Sequence, residues 1–368
     1  MAPPKRREPD ESDVRVRPNP RGSRPRTKER PRHADAVGAQ VLTVDRGRYG
    51  CLVGGFEADP DDPGATVVTA MKARELGRAG VVVGDRVALV GDVSGEPGTL
   101  ARVVRVQPRR SVLRRSADDT DPVERVIVAN AEQLAVVTSI ADPEPRARLV
   151  DRCLVAAYDA GMDPLLVVTK ADLADPAPFL AGYAALDVPA VVTRRDEAAE
   201  GGIGGLEDVR ARLDHRVTVL VGHSGVGKST LVNALVPGTD RATGEVNDVT
   251  GRGRHTSTSA VALRLPSGGW VVDTPGIRSF GLAHVDPDRI LRAFPDLAAG
   301  TDECPRGCTH DEPECGLDEF VAAGGAGAGG VARLESLRRL LRSRAGDEEP
   351  ERQPEGTQVR STDPPLRQ

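Results

Sequence analysis

The run Gly222-His223-Ser224-Gly225-Val226-Gly227-Lys228-Ser229-Thr230 lies between an apolar stretch of strand type, Val217 to Val221, and a helical one, Leu231-Val232-Asn233-Ala234-Leu235. G-x-x-x-x-G-K-S between a strand and a helix is a phosphate-binding loop, and the flanks turn a pattern match into a site. Glycines let the loop fold so that its backbone N–H groups face phosphate oxygens, while the helix N-terminus adds partial positive charge. In that arrangement Lys228 reaches the β- and γ-phosphates and Ser229 ligates Mg²⁺. Only a fold that feeds a buried strand directly into a covering helix can present such a loop.

Upstream, the apolar Leu165-Leu166-Val167-Val168 leads into Thr169-Lys170-Ala171-Asp172, which resembles the Asn-Lys-x-Asp motif that selects guanine. Asp172 can accept hydrogen bonds from guanine N1–H and N2–H₂, groups adenine does not offer, with Lys170 along the base plane. Thr169 stands where Asn is usual, so one tie between the base motif and the P-loop is expected to be lost. Only five of the fifty basic residues are lysines, and two of the five sit in these motifs. The last base-binding loop, near Thr193 to Asp196, has no sharp signature.

Downstream of the P-loop, the strand ending at Asp273 continues into Thr274-Pro275-Gly276, where Asp273 can hold Mg²⁺ through water and the Gly276 amide can sense the γ-phosphate. Between them, Gly251-Arg252-Gly253-Arg254-His255-Thr256-Ser257-Thr258 offers Thr256 as a second Mg²⁺ ligand, with Ser257 or Thr258 as alternatives. Such a segment suits ordering by GTP. Ile277 occupies the place where small GTPases carry a water-orienting Gln, and an alkyl group cannot position water. His255 is the first candidate for that task and Arg254 the second. The motif order is base, P-loop, switch, switch, whereas an ordinary small GTPase ends with the base motif. The nucleotide domain is therefore expected to be circularly permuted, which leaves a spatial site intact.

Residues 37–107 read as five short strands separated by Gly/Pro/Asp turns, a small barrel of OB or SH3-like type. From residue 125, apolar strands alternate with helical segments, as in a parallel sheet covered on both faces. Val126 to Val128 is the first strand candidate there, and Leu265-Pro266-Ser267-Gly268-Gly269-Trp270 predicts a hairpin. Ala147 to Ala160 predicts a helix with Leu149, Cys153, Ala156 and Ala157 on one side. The net charge of −5 hides an asymmetry: residues 1–34 carry eleven Lys/Arg against five Asp/Glu, and 345–368 three against six. Both ends read as polar tails, disordered or, for the basic one, a contact for the phosphate backbone of a nucleic acid. No apolar run approaches a membrane span and the start of the chain is Pro/Arg-rich, so a cytoplasmic protein without membrane contact is expected.

Cys304-x3-Cys308-x-His310-x4-Cys315 supplies the Cys₃His set of a closed structural zinc site; free reduced thiols in a loop are the alternative. A short helix with Leu334, Leu337 and Leu341 on one face follows a Gly/Ala run.

Taken together, the chain resembles the ribosome small subunit biogenesis GTPase family (RsgA) over about residues 37–343. The resemblance is carried by Gly-His-Ser-Gly-Val-Gly-Lys-Ser-Thr, Gly-Arg-His-Thr, Asp-Thr-Pro-Gly-Ile-Arg-Ser-Phe-Gly and the junction Arg109-Arg110-Ser111-Val112-Leu113-Arg114-Arg115. It implies a multi-domain chain: basic tail 1–36, all-β OB-fold barrel 37–110, permuted α/β P-loop GTPase domain 111–285, small α-helical zinc-binding domain 286–345, and tail 346–368. It further implies GTP hydrolysis to GDP, one structural Zn²⁺, Mg²⁺ with GTP, and stimulation by the small (30S) ribosomal subunit late in its maturation. The barrel and zinc domain would contact its 16S rRNA, and a monomer is expected. Thr169 and the zinc motif, whose two long gaps are each one residue short, depart from the family pattern. Two further classes stay open: an RNA-binding module with a regulatory, weakly hydrolysing nucleotide site, and a P-loop kinase or ATPase, against which Asp172 argues.

Overall fold

A computed structural model describes residues 33–57, 66–77, 80–115, 125–238, 260–274, 282 and 285–345. Residues 1–34 and 35–368 are separate units, and the first contributes only His33 and Ala34 to the described residues. Both tails beyond these limits lie outside the description.

In the second unit the chain opens with strands β1 (Val37–Asp45), β2 (Arg48–Val53), β3 (Val67–Lys72), β4 (Arg86–Gly91) and β5 (Ala101–Val106). Period-two patterning closes them on themselves: in β3, Val68 and Ala70 are buried while Val67 and Met71 face out. The order is β1-β2-β3-β5-β4, with β4 returning to pair antiparallel with β1 and β3 parallel to β5. This five-stranded closed sheet is the OB-fold, which decides between the two barrel types the periodicity allowed. Val41, Cys51, Leu89, Ala101 and Val103 fill its interior.

A two-stranded hairpin follows, β6 (Val112–Arg115) against β7 (Arg125–Ala129). Here the structure departs from the sequence reading, since Val126 to Val128 pairs with β6 and not with the parallel sheet. The burial of β7 explains it: Arg125 is exposed and only Val128 and Ala129 are fully buried, whereas the next strand is buried at every position.

The nucleotide sheet is built from β8 (Gln133–Ser139), helix α1 (Ala147–Ala160), β9 (Asp163–Thr169), α2 (Ala177–Ala181) and β10 (Ala190–Val192), then a small ladder of β11 (Arg194–Arg195) with β12 (Ile203–Gly204). Helix α3 (Leu206–Leu213), β13 (Val217–Val221), α4 (Lys228–Leu235), β14 (Val261–Arg264) and β15 (Trp270–Asp273) complete it. Its order is β10-β9-β8-β13-β15-β14, parallel except for β14, which the 265–270 turn folds back antiparallel on β15. Successive side chains of one strand serve opposite layers. Leu134 and Val136 join the core under α1, while Ala135 and Val137 join the core under α3 and α4. That two-sided burial is why these strands read as unbroken apolar runs. The chain direction across the sheet reverses between β8 and β13, so a crevice opens at the carboxyl ends of the strands there.

Four helices end the described chain: α5 (Pro287–Leu291), α6 (Pro295–Ala298), α7 (Gly316–Ala322) and α8 (Gly330–Ala345). The last, sixteen residues long, is no short appendage. Leu337, Leu340 and Leu341 share one core with Cys153 and Leu154 of α1. Around that seam the Arg152 guanidinium donates to the Ser343 carbonyl at 2.9 Å, and Arg339 lies 3.2 Å from the buried Asp151 carboxylate and over the Tyr183 ring. Burial, followed by the nearby Asp151 charge, pushes the Tyr183 hydroxyl up. No described helix is long and apolar enough to cross a membrane.

The barrel is joined to the nucleotide sheet by backbone and side chains alike. Thr43 of β1 pairs with Val261 of β14, so one hydrogen-bonded sheet runs through both. Phe56 stacks on Trp270 at 4.5 Å between ring centroids, and the indole N–H donates to the Phe56 carbonyl at 3.0 Å. Arg109 grips the fully buried Asp85 with two bonds of 2.7 and 2.8 Å, and Asn130 donates to the Gly84 carbonyl at 2.9 Å. Trp270 is the only tryptophan of the chain. Phe56→Ala is expected to shift its fluorescence emission to the red and to cost about 3 kcal/mol in denaturant unfolding; an unshifted spectrum would show that the stack does not hold the barrel in place.

Candidate functional site

The loop from Gly222 to Gly227 leaves β13 at the strand-order reversal and enters α4 at Lys228. Gly227 sits at φ 88°, a left-handed conformation open to glycine at little cost, and it turns the chain into the helix. At Gly222 a Cβ would collide with the Val137 carbonyl of the neighbouring strand, so only glycine lets the loop start there. The Lys228 ammonium pairs with Asp273 at the end of β15 and donates to the Thr274 carbonyl at 2.9 Å. Thr274 donates in turn to the Leu220 carbonyl at 2.7 Å, fixing the strand end beside the P-loop. Asp273 is buried, so this is a shielded ion pair positioned at the mouth of the loop.

The base motif arrives from β9, two strands away. Thr169 is buried, and its hydroxyl donates to the Val226 carbonyl inside the P-loop at 2.6 Å. The tie that Thr169 was expected to forfeit is thus made, by a hydroxyl instead of an amide. Lys170, in the left-handed region at φ 61°, reaches the Asp142 carbonyl, while the Ala171 amide donates to the Thr193 carbonyl at 3.1 Å. Asp172 Oδ1 accepts the Arg195 backbone N–H at 2.8 Å. Thr169, Lys170, Asp172 and Leu173 then line a cavity of about 450 Å³ together with Thr193, Arg194, Arg195, Gly202, Ile203, Gly227, Thr230 and Leu231.

Of the sequence candidates, Thr169, Lys170, Asp172, Gly227 and Thr230 meet on this cavity, with Gly222, His223, Ser224, Gly225 and Val226 on the adjoining loop, Lys228 and Ser229 at the start of α4 and Asp273 at the end of β15. His255, Thr256 and Gly276, together with Arg254, Ser257, Thr258 and Ile277, lie outside the described residues. The loop Thr193 to Asp196 does reach the cavity, through Thr193, Arg194 and Arg195, whereas sequence reading missed Asp142, Gly202 and Ile203. The Gly201-Gly202-Ile203-Gly204-Gly205 run was the available signal for the last two, because such a glycine density marks a place where backbones approach closely.

The second cluster joins Cys304, Cys308, His310 and Cys315, whose ligand atoms all lie within 4.8 Å of one another. A tetrahedral zinc with bonds of about 2.3 Å to sulfur and 2.0–2.1 Å to nitrogen needs S···S edges of roughly 3.8 Å and S···N edges of roughly 3.6 Å. The observed spacings are 3.9 Å between the Cys304 and Cys315 sulfurs and 3.6 and 3.8 Å from these to His310 Nδ1. The donor set fits zinc, and these three edges match such a site despite the shortened gaps of the motif. Outside the ligands, Arg338 donates to the His310 carbonyl at 3.0 Å and grips Asp318 with bonds of 2.9 and 2.6 Å, while Glu312 accepts the Thr309 amide. Hydrogen bonds from the Thr309 hydroxyl and amide lower the Glu312 carboxyl to about 2, keeping it ionised.

A P-loop at the strand-order reversal, a guanine-type motif from an earlier strand tied to it, and an antiparallel strand beyond β15 define a circularly permuted P-loop GTPase. A family model described as RsgA GTPase matches residues 106–283. The small ribosomal subunit biogenesis GTPase RsgA 1 of Vibrio vulnificus is 33% identical over 324 residues, which are 85% of this chain and 89% of the relative. The crystal structure of YjeQ from Thermotoga maritima aligns with a TM-score of 0.59 and 26% identity, covering 84% of this chain and 99% of that one. That of YloQ, described as a circularly permuted GTPase, aligns at 0.57 and 20% identity over 87% and 98% of the two chains. The chain belongs to the RsgA GTPase family and is a GTP-hydrolysing enzyme.

The other two cysteines are of a different kind. Burial pushes the Cys51 thiol up to about 12 and raises the fully buried Cys153 thiol as well, so neither forms a reactive thiolate near neutral pH. Alkylation of the native protein in a strong chelator is expected to label Cys304 and Cys308 well ahead of Cys51 and Cys153, read by peptide mass spectrometry; equal labelling of Cys51 would contradict the sealed barrel core.

Proposed function

We propose that the protein is a cytoplasmic timer of small ribosomal subunit maturation: GTP holds it in the form that binds the subunit, and hydrolysis to GDP and phosphate releases it. The observation that carries this reading is the single cavity on which the base motif and the P-loop meet, held together by the Thr169–Val226 bond. The role printed in the names of its relatives supplies the partner.

In this reading Asp172 takes guanine N1–H and N2–H₂, Lys170 flanks the base, and the Gly222 to Gly227 amides cradle the phosphates. Lys228 exchanges Asp273 for β- and γ-phosphate oxygens, which frees Asp273 to orient a water of Mg²⁺. Ser229 and Thr256 are the direct Mg²⁺ ligands, and the Gly276 amide answers to the γ-phosphate. His255 orients the attacking water in place of the Gln that Ile277 replaces. When bound, Mg²⁺ neutralises charge that develops on the transferred phosphate. Cys304, Cys308, His310 and Cys315 hold one Zn²⁺ that shapes the loop in front of α7, and the barrel and this region face 16S rRNA. The protein acts as a monomer.

Turnover measured with and without small subunits tests the reading; stimulation of at least tenfold is expected, and none at all would remove the ribosomal part while sparing the GTPase. Lys228→Ala is expected to lower turnover by about a hundredfold or more, since it strips a charge clamp from the transferred phosphate. His255→Ala is expected to cut stimulated turnover with little change in GDP affinity, and an unchanged rate would exclude it as the water-orienting group.

A further inference from the structure

We infer that Thr169 is a positioning residue which clamps the base-recognition strand to the phosphate loop and leaves guanine N7 unread. The inference rests on the nucleotide-site reading above. Thr169 stands at the end of β9, 6% exposed, with its hydroxyl oxygen 2.6 Å from the Val226 carbonyl and 3.3 Å from the Thr138 carbonyl of β8. Both neighbours are acceptors, and a hydroxyl has one proton to give. That proton is therefore committed inside the protein, and it joins three segments: the base strand, the central strand β8 and the loop residue directly before Gly227.

Guanine presents N7 and O6 as acceptors on one edge. A side chain that reads N7 must donate to it. Asparagine carries two N–H groups and a carbonyl, so it can hold the P-loop and still offer a proton to the base; threonine has nothing left after the first task. The base is then discriminated through its donor edge, N1–H and N2–H₂, by Asp172. Asp172 is itself steadied by the Arg195 amide on Oδ1. The clamp acts on affinity as a whole, since Thr169 and Gly227 line the same cavity and a slack P-loop would loosen phosphate and base contacts together.

Equilibrium binding of GDP, 7-deaza-GDP and IDP to the full chain tests this. Wild type is expected to bind GDP and 7-deaza-GDP within about twofold of each other and IDP, which lacks the N2 donor, more weakly by about tenfold or more, the worth of one hydrogen bond to a charged carboxylate. Thr169→Val, equal in shape but without a proton, should weaken GDP and 7-deaza-GDP by the same factor, about fivefold, and Thr169→Ser should restore both. Thr169→Asn should create a new preference for GDP over 7-deaza-GDP of about fivefold. A wild-type protein that already rejects 7-deaza-GDP by fivefold would overturn the inference, as would a Thr169→Val variant of undiminished affinity. A chain that binds no guanosine nucleotide would instead bring down the nucleotide site itself.

Discussion

The parallel ladder between Gln133–Val136 of β8 and Thr218–Val221 of β13 makes one site out of two lengths of chain. The base-recognition half, from β8 to β12, is complete before the P-loop half begins. Without that seam the two halves would be separate βα units, each with an exposed strand edge. The Thr218 hydroxyl donates to the Gln133 side chain at 2.8 Å within the seam, and Glu132 accepts the Val217 amide at its foot. The register so fixed sets Thr169 against Val226, and Asp172 and the phosphate loop on one crevice. Cutting and rejoining the chain elsewhere leaves this ladder untouched, which is why permutation is tolerated.

The neighbouring parts are fused to the nucleotide sheet rather than strung beside it. Aromatic residues make up only 2% of the chain, and several stand at its joints: Phe56 on Trp270 where the barrel meets β15, and Tyr158 edge-on to Phe294 where α1 meets the C-terminal helices. Arginine supplies much of the rest. Arg109 reaches back to Asp85 in the barrel, and Arg333 grips Asp296, takes the Ala185 carbonyl and covers the Phe294 ring. Planar guanidinium groups suit such places because one side chain satisfies a carboxylate, a carbonyl and a ring face together.

Much of this was legible in the sequence where a pattern has a single physical cause. The P-loop lay between the strand and helix its flanks indicated, the PSGG turn folded β14 back, and the helix Ala147 to Ala160 has the predicted bounds. Contacts between distant segments were not legible. Periodicity could not choose between two barrel types, because that choice depends on β4 pairing with β1. Val126 to Val128 looked like any apolar strand, and its partner in β6 was hidden in an arginine-rich junction. At Thr169, comparison by residue type pointed to a lost contact, yet a shorter side chain with the right proton reaches the same carbonyl. The leucine face of α8 was legible, but the inward reach of Arg333, Arg338 and Arg339 depends on distant carboxylates that no local pattern marks.

The seam between α1 and α8 also dictates an order of assembly. Asp151 and Arg152 are placed early in the chain and buried against Arg339 and Ser343, the second pair 191 positions apart. A nascent chain leaving the ribosome therefore carries α1 with its apolar face uncovered until the helix after Gly330 has been synthesised. Fragments that stop short of it cannot complete the layer beneath the base-recognition half.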